Sequence, residues 1–474
     1  MFKQFKYAIF IPALVLLGLV VTKSFQAPFT HDEAFSFEVY SSKSIPEILA
    51  FKEEVSANNH LFNTLFMKGM SELGITEPGF LRMLSWASFG LFVWSLYQLF
   101  KTKEKYLIGF LFLIPCCSPY LLDFFSMARG YAFSFSLLAM TCYLYLKHEV
   151  GSKQQIWAVQ FATLALLANF NLVYFWFSLL SLHLLQNIRK PNHWQIYNLL
   201  KTYLFPLLSL VYLGHVFIQL SSAKQLYFGG NTGFIENVLN DQLWCLIYDQ
   251  NYSLNPYFLK LWTCMVPGMV VFALVLFGFK QLRNNTHYKI WTTLLYFLVC
   301  SCVLVYLNHV LTGSLYPIKR TGLFLTIVFM MTVAYFLLFI YTIIPLKPVY
   351  LTFSIGFVGL LYFHTINATQ PKRFREIPYD CHTDEILATL ATYSKSNEVL
   401  DFSANWQFSP SFNFYQETQG LNWLPKLERS PIDTNAQFLL LFEEDFAVFD
   451  TQAFQSILSY PEEQVYLLKR VGGR

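Results

Sequence analysis

The chain has 474 residues, of which 55% are hydrophobic and 13% charged, with a net charge of +4. Soluble domains carry about 25% charged residues, so the composition excludes an ordinary soluble protein and points to a polytopic membrane protein. No Lys/Arg run forms a stripe able to track a phosphate backbone, which argues against a nucleic-acid partner.

In chain order, the basic amino terminus leads into a long apolar run without a small-residue cleavage site. This reads as an uncleaved first span near 7–25 rather than a signal peptide. Spans of about 20 mostly apolar residues follow near 80–100, 106–122, 130–147, 156–169, 171–186, 197–219, 258–279, 290–309, 321–342 and 348–366. The predicted fold is therefore all-α, with about eleven transmembrane helices. The stretch 156–186 is divided at Ala168-Asn169-Phe170-Asn171. With Lys3 and Lys6 in the cytoplasm, every inside loop is basic. These loops carry Lys101, Lys103 and Lys105; Lys147 and Lys153; Arg189, Lys190 and Lys201; Lys280, Arg283 and Lys289; and Lys347.

Segments 26–79, 220–257 and the tail from 367 then fall outside. Residues 1–366 form a membrane domain, and 367–474 form a small α+β extracytoplasmic domain. In the tail, 437–442 and 464–468 read as strands and 383–393 as a helix. In the first outer segment, Ser44 and Glu47 with Pro46 form a capping-box start. Ile45, Ile48, Leu49 and Val55 recur behind it at helical spacing, as on a surface helix. Of the 8 Cys, Cys245 and Cys381 fall in aqueous segments and the others in or beside apolar runs. No CxxC or zinc-type Cys/His spacing is present.

Chemistry concentrates at the outer ends of the spans. Thr30-His31-Asp32-Glu33 follows the first span directly. Thr30 and Glu33 match a capping box, which explains the acids as a helix start. The same helix terminus would hold Asp32 ionised, suited to deprotonating a hydroxyl at the lipid–water boundary. Asp32 and Glu33 are thus the catalytic candidates, with His31 beside them. A departing phosphate needs fixed positive charge, and Arg82, Arg129, Lys319 and Arg320 each open an apolar span; snorkelling to headgroups is the alternative use of each. Asn58, Asn59, His60 and Asn63 form a polar island able to bind a sugar or its phosphate, some of them as helix caps. Asp123 precedes Arg129 by six residues and also reads as a solvated loop acid. His31 and His60 with Asp32 and Glu33 could gather a divalent metal, although their spacing fits no metal motif. No cofactor beyond such a metal is indicated.

With Asp32-Glu33 after the first span, Asn58–Leu65 before a helix, Arg82 opening the second span, Arg129-Gly130-Tyr131 at the fourth and Arg320 near a late one, the chain resembles the GT-C superfamily. These are integral membrane glycosyltransferases. The likeness is to the glycosyltransferase family 39-type branch, which includes protein O-mannosyltransferases and aminoarabinose transferases. It covers roughly the first 190 residues well and the later spans weakly. Met127 stands where many relatives carry an acid, and Leu61-Phe62 replaces their Pro pair. The resemblance implies inverting transfer of a sugar from a polyprenyl-phosphate donor to a glycan, lipid or protein acceptor, in the bacterial inner (plasma) membrane. It implies Asp32 as base, Arg129 and Arg320 on the phosphate, and Tyr131 in the donor site. A transporter or flippase of lipid-linked sugars is the alternative. It would be expected to place ionisable or Gly/Pro-broken sites near the bilayer midplane.

Overall fold

The computed structural model describes residues 10–52, 55–102, 106–187, 196–247, 256–394, 398–447 and 453–471. Lys3, Lys6, Lys103, Lys105, Arg189 and Lys190 of the inside-loop pattern lie outside the described residues. The chain divides into two compact units: Met1–Val21, Val55–Phe62 and Leu84–Thr369 form one, and Thr22–Glu54, Asn63–Met83 and Gln370–Arg474 the other. Segments 22–54 and 63–83, which take in most of the expected outer loop 26–79, cluster with the tail.

The first unit is helical. Helix Leu323–Ile343 is apolar on all sides and 78% of its most apolar window is buried, against 17% for Lys347–Ala368. The first is a central helix. The second leaves Val349, Leu360 and Phe363 facing outward, and helix Ile196–Ser222 likewise exposes Leu207 and Val211. Apolar faces of this length need lipid rather than water, which makes the chain an integral membrane protein.

Five described helices are long and apolar enough to span, or six if Ile11–Gln26 and His31–Tyr40 count as one broken span. The expected count of about eleven is not reached. Helices Gly130–Leu146, Lys153–Ala168 and Val173–Asn187 have only 17, 16 and 15 residues. The run 106–122 becomes a 3-10 stretch, Tyr106–Cys116, and a short helix, Pro119–Phe125. Pro115 and Pro119 lack the N–H groups a continuous helix needs. At 168–171 the chain does turn: Asn169 leaves helical geometry, its Oδ1 accepts from the Asn171 N–H at 3.2 Å, and a new helix starts at Val173.

The second unit holds a four-stranded sheet in the order β1-β2-β4-β3, with β1 Phe402–Ala404, β2 Phe438–Phe442, β3 Phe454–Tyr460 and β4 Val465–Arg470. β1 pairs parallel to β2, and the other pairs are antiparallel. Strand β2 is buried at every residue, which is why its sequence, Phe-Leu-Leu-Leu-Phe, does not alternate with polar residues. Phe408 stacks on Phe442, while Leu439 and Leu441 pack with Ala436 and Leu468. Helix Ser409–Gln419 meets the His31–Tyr40 helix through Phe414, whose ring centroid lies 4.3 Å from that of Phe29 and 5.2 Å from that of Phe37. The helix at Ile45–Ala50 starts on Ser44, with Glu47 Oε2 accepting from the Ser44 N–H at 2.7 Å.

Candidate functional site

The first cluster lies at the start of helix His31–Tyr40, in the second unit. Glu33 closes the capping box: its Oε2 accepts from the Thr30 N–H at 3.0 Å and from Thr30 Oγ1 at 2.9 Å. The same carboxylate accepts from Arg82 Nε at 2.8 Å and Nη2 at 2.7 Å, and both side chains are fully buried. Arg82 also donates to the carbonyls of Ser24, Ala27 and Pro28. A guanidinium has five N–H donors, and here five acceptors are in place. Arg82, expected as a phosphate-facing cation, is therefore an internal fastener. Its guanidinium also faces the Phe29 and Phe374 rings. Lys23, 1% exposed, joins the same knot by donating to the Arg373 carbonyl at 2.7 Å.

His31 is also held. Its Nδ1 lies 2.6 Å from the Gln407 carbonyl, which can only accept, and its Nε2 lies 3.3 Å from Arg429 Nη2, which can only donate. These two partners suit a proton on Nδ1 and an accepting Nε2. The His31 N–H donates to Asp380 Oδ2 at 2.6 Å, and Ser411 Oγ donates to Asp380 Oδ1 at 3.0 Å. Burial raises the Asp380 carboxyl to about 8 against the pull of those two hydrogen bonds, with Glu33 and Asp32 adding to the rise. Asp32 differs from both neighbours. It is half-exposed at the second position of the helix, where the macrodipole favours its anion. Asp380, Gln407, Ser411 and Arg429 were not legible as partners, because each lies more than 340 residues from His31 in the chain.

The second cluster lies in the helical unit, at the start of helix Gly130–Leu146. Arg129 caps that helix in extended geometry and is 4% exposed. Its Nη2 donates to Asn58 Oδ1 at 3.2 Å, and its guanidinium lies 6.0 Å from the Tyr131 ring centre. His60 sets its ring edge against Tyr131 at 4.9 Å. Gly130 permits this approach: a Cβ there would stand 2.5 Å from the Ala168 carbonyl oxygen and 2.7 Å from His60 Cβ. Asn59 is buried beside them in sequence. Asp123, whose alternative reading was a solvated loop acid, is instead 1% exposed in the wholly buried helix Pro119–Phe125.

Lys319 and Arg320 sit on a 3-10 turn of the same unit. Lys319 has a φ of 46°, a left-handed conformation uncommon for a side-chain-bearing residue. Its N–H donates to Asp241 Oδ2, and its ammonium lies 5.3 Å from the Trp244 ring centre. Arg320 lies 4.3 Å from the Phe228 ring centre. The loop is tied by two backbone hydrogen bonds between Gly230 and Tyr316, at 3.0 and 2.8 Å.

No family model matches the chain, and no curated protein matches it. Among solved structures the chain is similar to ArnT from Cupriavidus metallidurans in the apo state, at 10% identity and a TM-score of 0.43. That likeness covers 99% of this chain and 98% of the other. At that level it assigns neither fold nor activity.

Proposed function

We propose that the chain is a membrane glycosyltransferase that moves a sugar from a polyprenyl-phosphate donor to an acceptor hydroxyl on the outer face of the membrane, with inversion. Asp32 is the general base. The acceptor oxygen attacks the anomeric carbon, the bond from that carbon to the phosphate oxygen breaks, and the hydroxyl proton passes to Asp32. The leaving polyprenyl phosphate gains negative charge, which Arg129, Lys319 and Arg320 neutralise. Asn59, His60 and Tyr131 contact the donor sugar or its phosphate, and the apolar helices hold the prenyl chain. Glu33 serves by fixing Arg82 and the helix start rather than by touching substrate.

The observation that carries this reading is the division of labour between adjacent acids. Glu33 is buried and bonded to Thr30 and Arg82, whereas Asp32 is half-exposed at the same helix start. Only the second can meet a hydroxyl arriving from water.

The test is transfer from a panel of radiolabelled polyprenyl-phosphate sugars in membranes. Asn still caps a helix, so Asp32→Asn is expected to fold normally and to lose about 10²- to 10⁴-fold in transfer, the usual contribution of a general base. Equal transfer by wild type and variant would remove Asp32 from the mechanism. Absence of transfer with every donor, together with flipping of a fluorescent lipid-linked sugar in vesicles, would favour the transporter reading.

A further inference from the structure

A further constellation lies in the tail, on the same 3-10 turn as Asp380 but made of residues that the proposed reaction does not use. The 3-10 turn Pro378–His382 presents Cys381 and His382. The turn between β3 and β4 presents Glu463. One ligand atom from each of the three lies within 4.8 Å of the others. Thiolate sulfur, imidazole nitrogen and carboxylate oxygen are the donors of zinc-type sites. We propose that Cys381, His382 and Glu463 form a binding site for a divalent, borderline-soft cation of the zinc type, with one position left open to a cavity.

Three features support a built site rather than a chance cluster. First, the imidazole is oriented. His382 stacks on Tyr460 with ring centres 3.7 Å apart and planes within 10°. Second, its two nitrogens are differentiated. Nε2 faces Glu463 Oε2 at 3.5 Å, and Nδ1 faces Glu385 Oε2 at 3.5 Å. A metal-bound histidine characteristically directs its other ring nitrogen to a carboxylate, which fixes the tautomer. Glu385 is placed for that role. Third, all three residues line one cavity of about 780 Å³. Its walls carry the carboxylates of Asp384, Glu385, Glu462 and Glu463 against the cations Lys372 and Arg373, a balance that favours a cation. Arg373 bridges Glu462 at 2.8 Å and Glu463 at 3.1 Å, so it anchors the Glu463 turn. On metal binding the Cys381 thiol gives its proton to solvent and coordinates as thiolate. Three protein ligands with an open fourth position are the pattern of a reactive or ligand-binding zinc site.

The full-length protein is purified in detergent, stripped with chelator and titrated with Zn²⁺ or Co²⁺ alone. One equivalent is expected to bind, and the Co²⁺ form should show a sulfur-to-metal charge-transfer band. Cys381→Ser should abolish that band. Loss of an outer partner of a metal ligand weakens affinity about 10- to 100-fold, so Cys381→Ser and Glu463→Gln, which remove a ligand, should each weaken Zn²⁺ by at least that much. Glu385→Gln should fall within that range and keep the band. Should a variant misfold, protection of the wild-type Cys381 thiol from alkylation by Zn²⁺ decides the matter. No binding, or binding without a thiolate band and unchanged in Cys381→Ser, would overturn the site and leave the cluster as a His382–Glu463–Arg373 ion-pair network.

Discussion

Two helix starts, at His31 and at Gly130, are each met by an arginine, and the two arginines are used differently. Arg82 gives all five N–H groups to carbonyls and to a buried carboxylate at 2.7–2.9 Å. Arg129 reaches a neutral amide oxygen at 3.2 Å and an aromatic face. A hydrogen bond to a neutral amide is readily exchanged for a phosphate oxygen, whereas a buried two-point ion pair is not. Sequence position alone gives both residues the same role; the five acceptors gathered around Arg82 make that one a fastener.

That contrast breaks most sharply in the second unit. Removing one partner of a buried pair strands the other charge and costs about 3–5 kcal/mol. Arg82→Met should therefore lower the unfolding transition in detergent by an amount in that range, followed by intrinsic fluorescence, and Glu33→Gln should do the same. The double variant Glu33→Gln/Arg82→Met should be less destabilised than the sum of the two. On the proposed function, Arg129→Met should abolish transfer. A large stability loss in Arg129→Met with transfer retained would place both arginines among the fasteners.

The corner at Gly130 offers the next effect. Overpacking by one methyl in a tight interior costs about 1–3 kcal/mol, and here the obstructing atom is a backbone oxygen at 2.5 Å, which cannot swing away. Gly130→Ala should lose stability in that range and displace His60 from Tyr131. Thermal unfolding reads the first, and the loss of His60-dependent transfer reads the second. A neutral Gly130→Ala would show that the corner is loosely packed.

Asp380 sharpens the other side. With its carboxyl raised to about 8, it is mostly protonated at neutral pH, so an amide can take its place. Asp380→Asn keeps an acceptor for the His31 N–H and a group that can bond Ser411, and should shift stability by less than about 1 kcal/mol. Asp380→Ala leaves a buried N–H without its acceptor and should cost about 1–3 kcal/mol. Equal losses in both variants would mean that the carboxylate is ionised in the folded protein.

What the sequence made legible was local. Apolar run length located the helices within a few residues at 83–100, 196–222, 286–312, 323–343 and 347–368. Spacing of three residues predicted that Thr30 and Ser44 would meet Glu33 and Glu47. The tail strands at 438–442 and 465–470 announced themselves by apolar content, whereas β1, only three residues long, and the outward-facing β3 carry too weak a pattern to stand out. Pairings across the chain were out of reach. Glu33 and Arg82 are 49 residues apart, and His31 and Asp380 are 349 apart. Cys381 and His382 gain their third ligand only when the β3–β4 turn folds beside them, so no motif spacing could announce the set. The expected helix number is not confirmed among the described residues, because apolar runs 15–17 residues long satisfy composition before they satisfy length.

The smallest effect separates backbone strain from ligand binding at Lys319. A left-handed residue other than glycine stores about 1 kcal/mol or more, held here by the Asp241 carboxylate and by Trp244 under the ammonium. Lys319→Ala keeps the strain and loses the ring contact. Lys319→Gly loses the same contact and releases the strain, so it should unfold later than Lys319→Ala by about 1 kcal/mol. If the ammonium also neutralises the leaving phosphate, the two variants should lose transfer equally although their stabilities differ. A transfer loss that instead follows the stability order would make Lys319 a brace for the loop at 313–322, and would leave Arg320 and Arg129 to carry the phosphate charge.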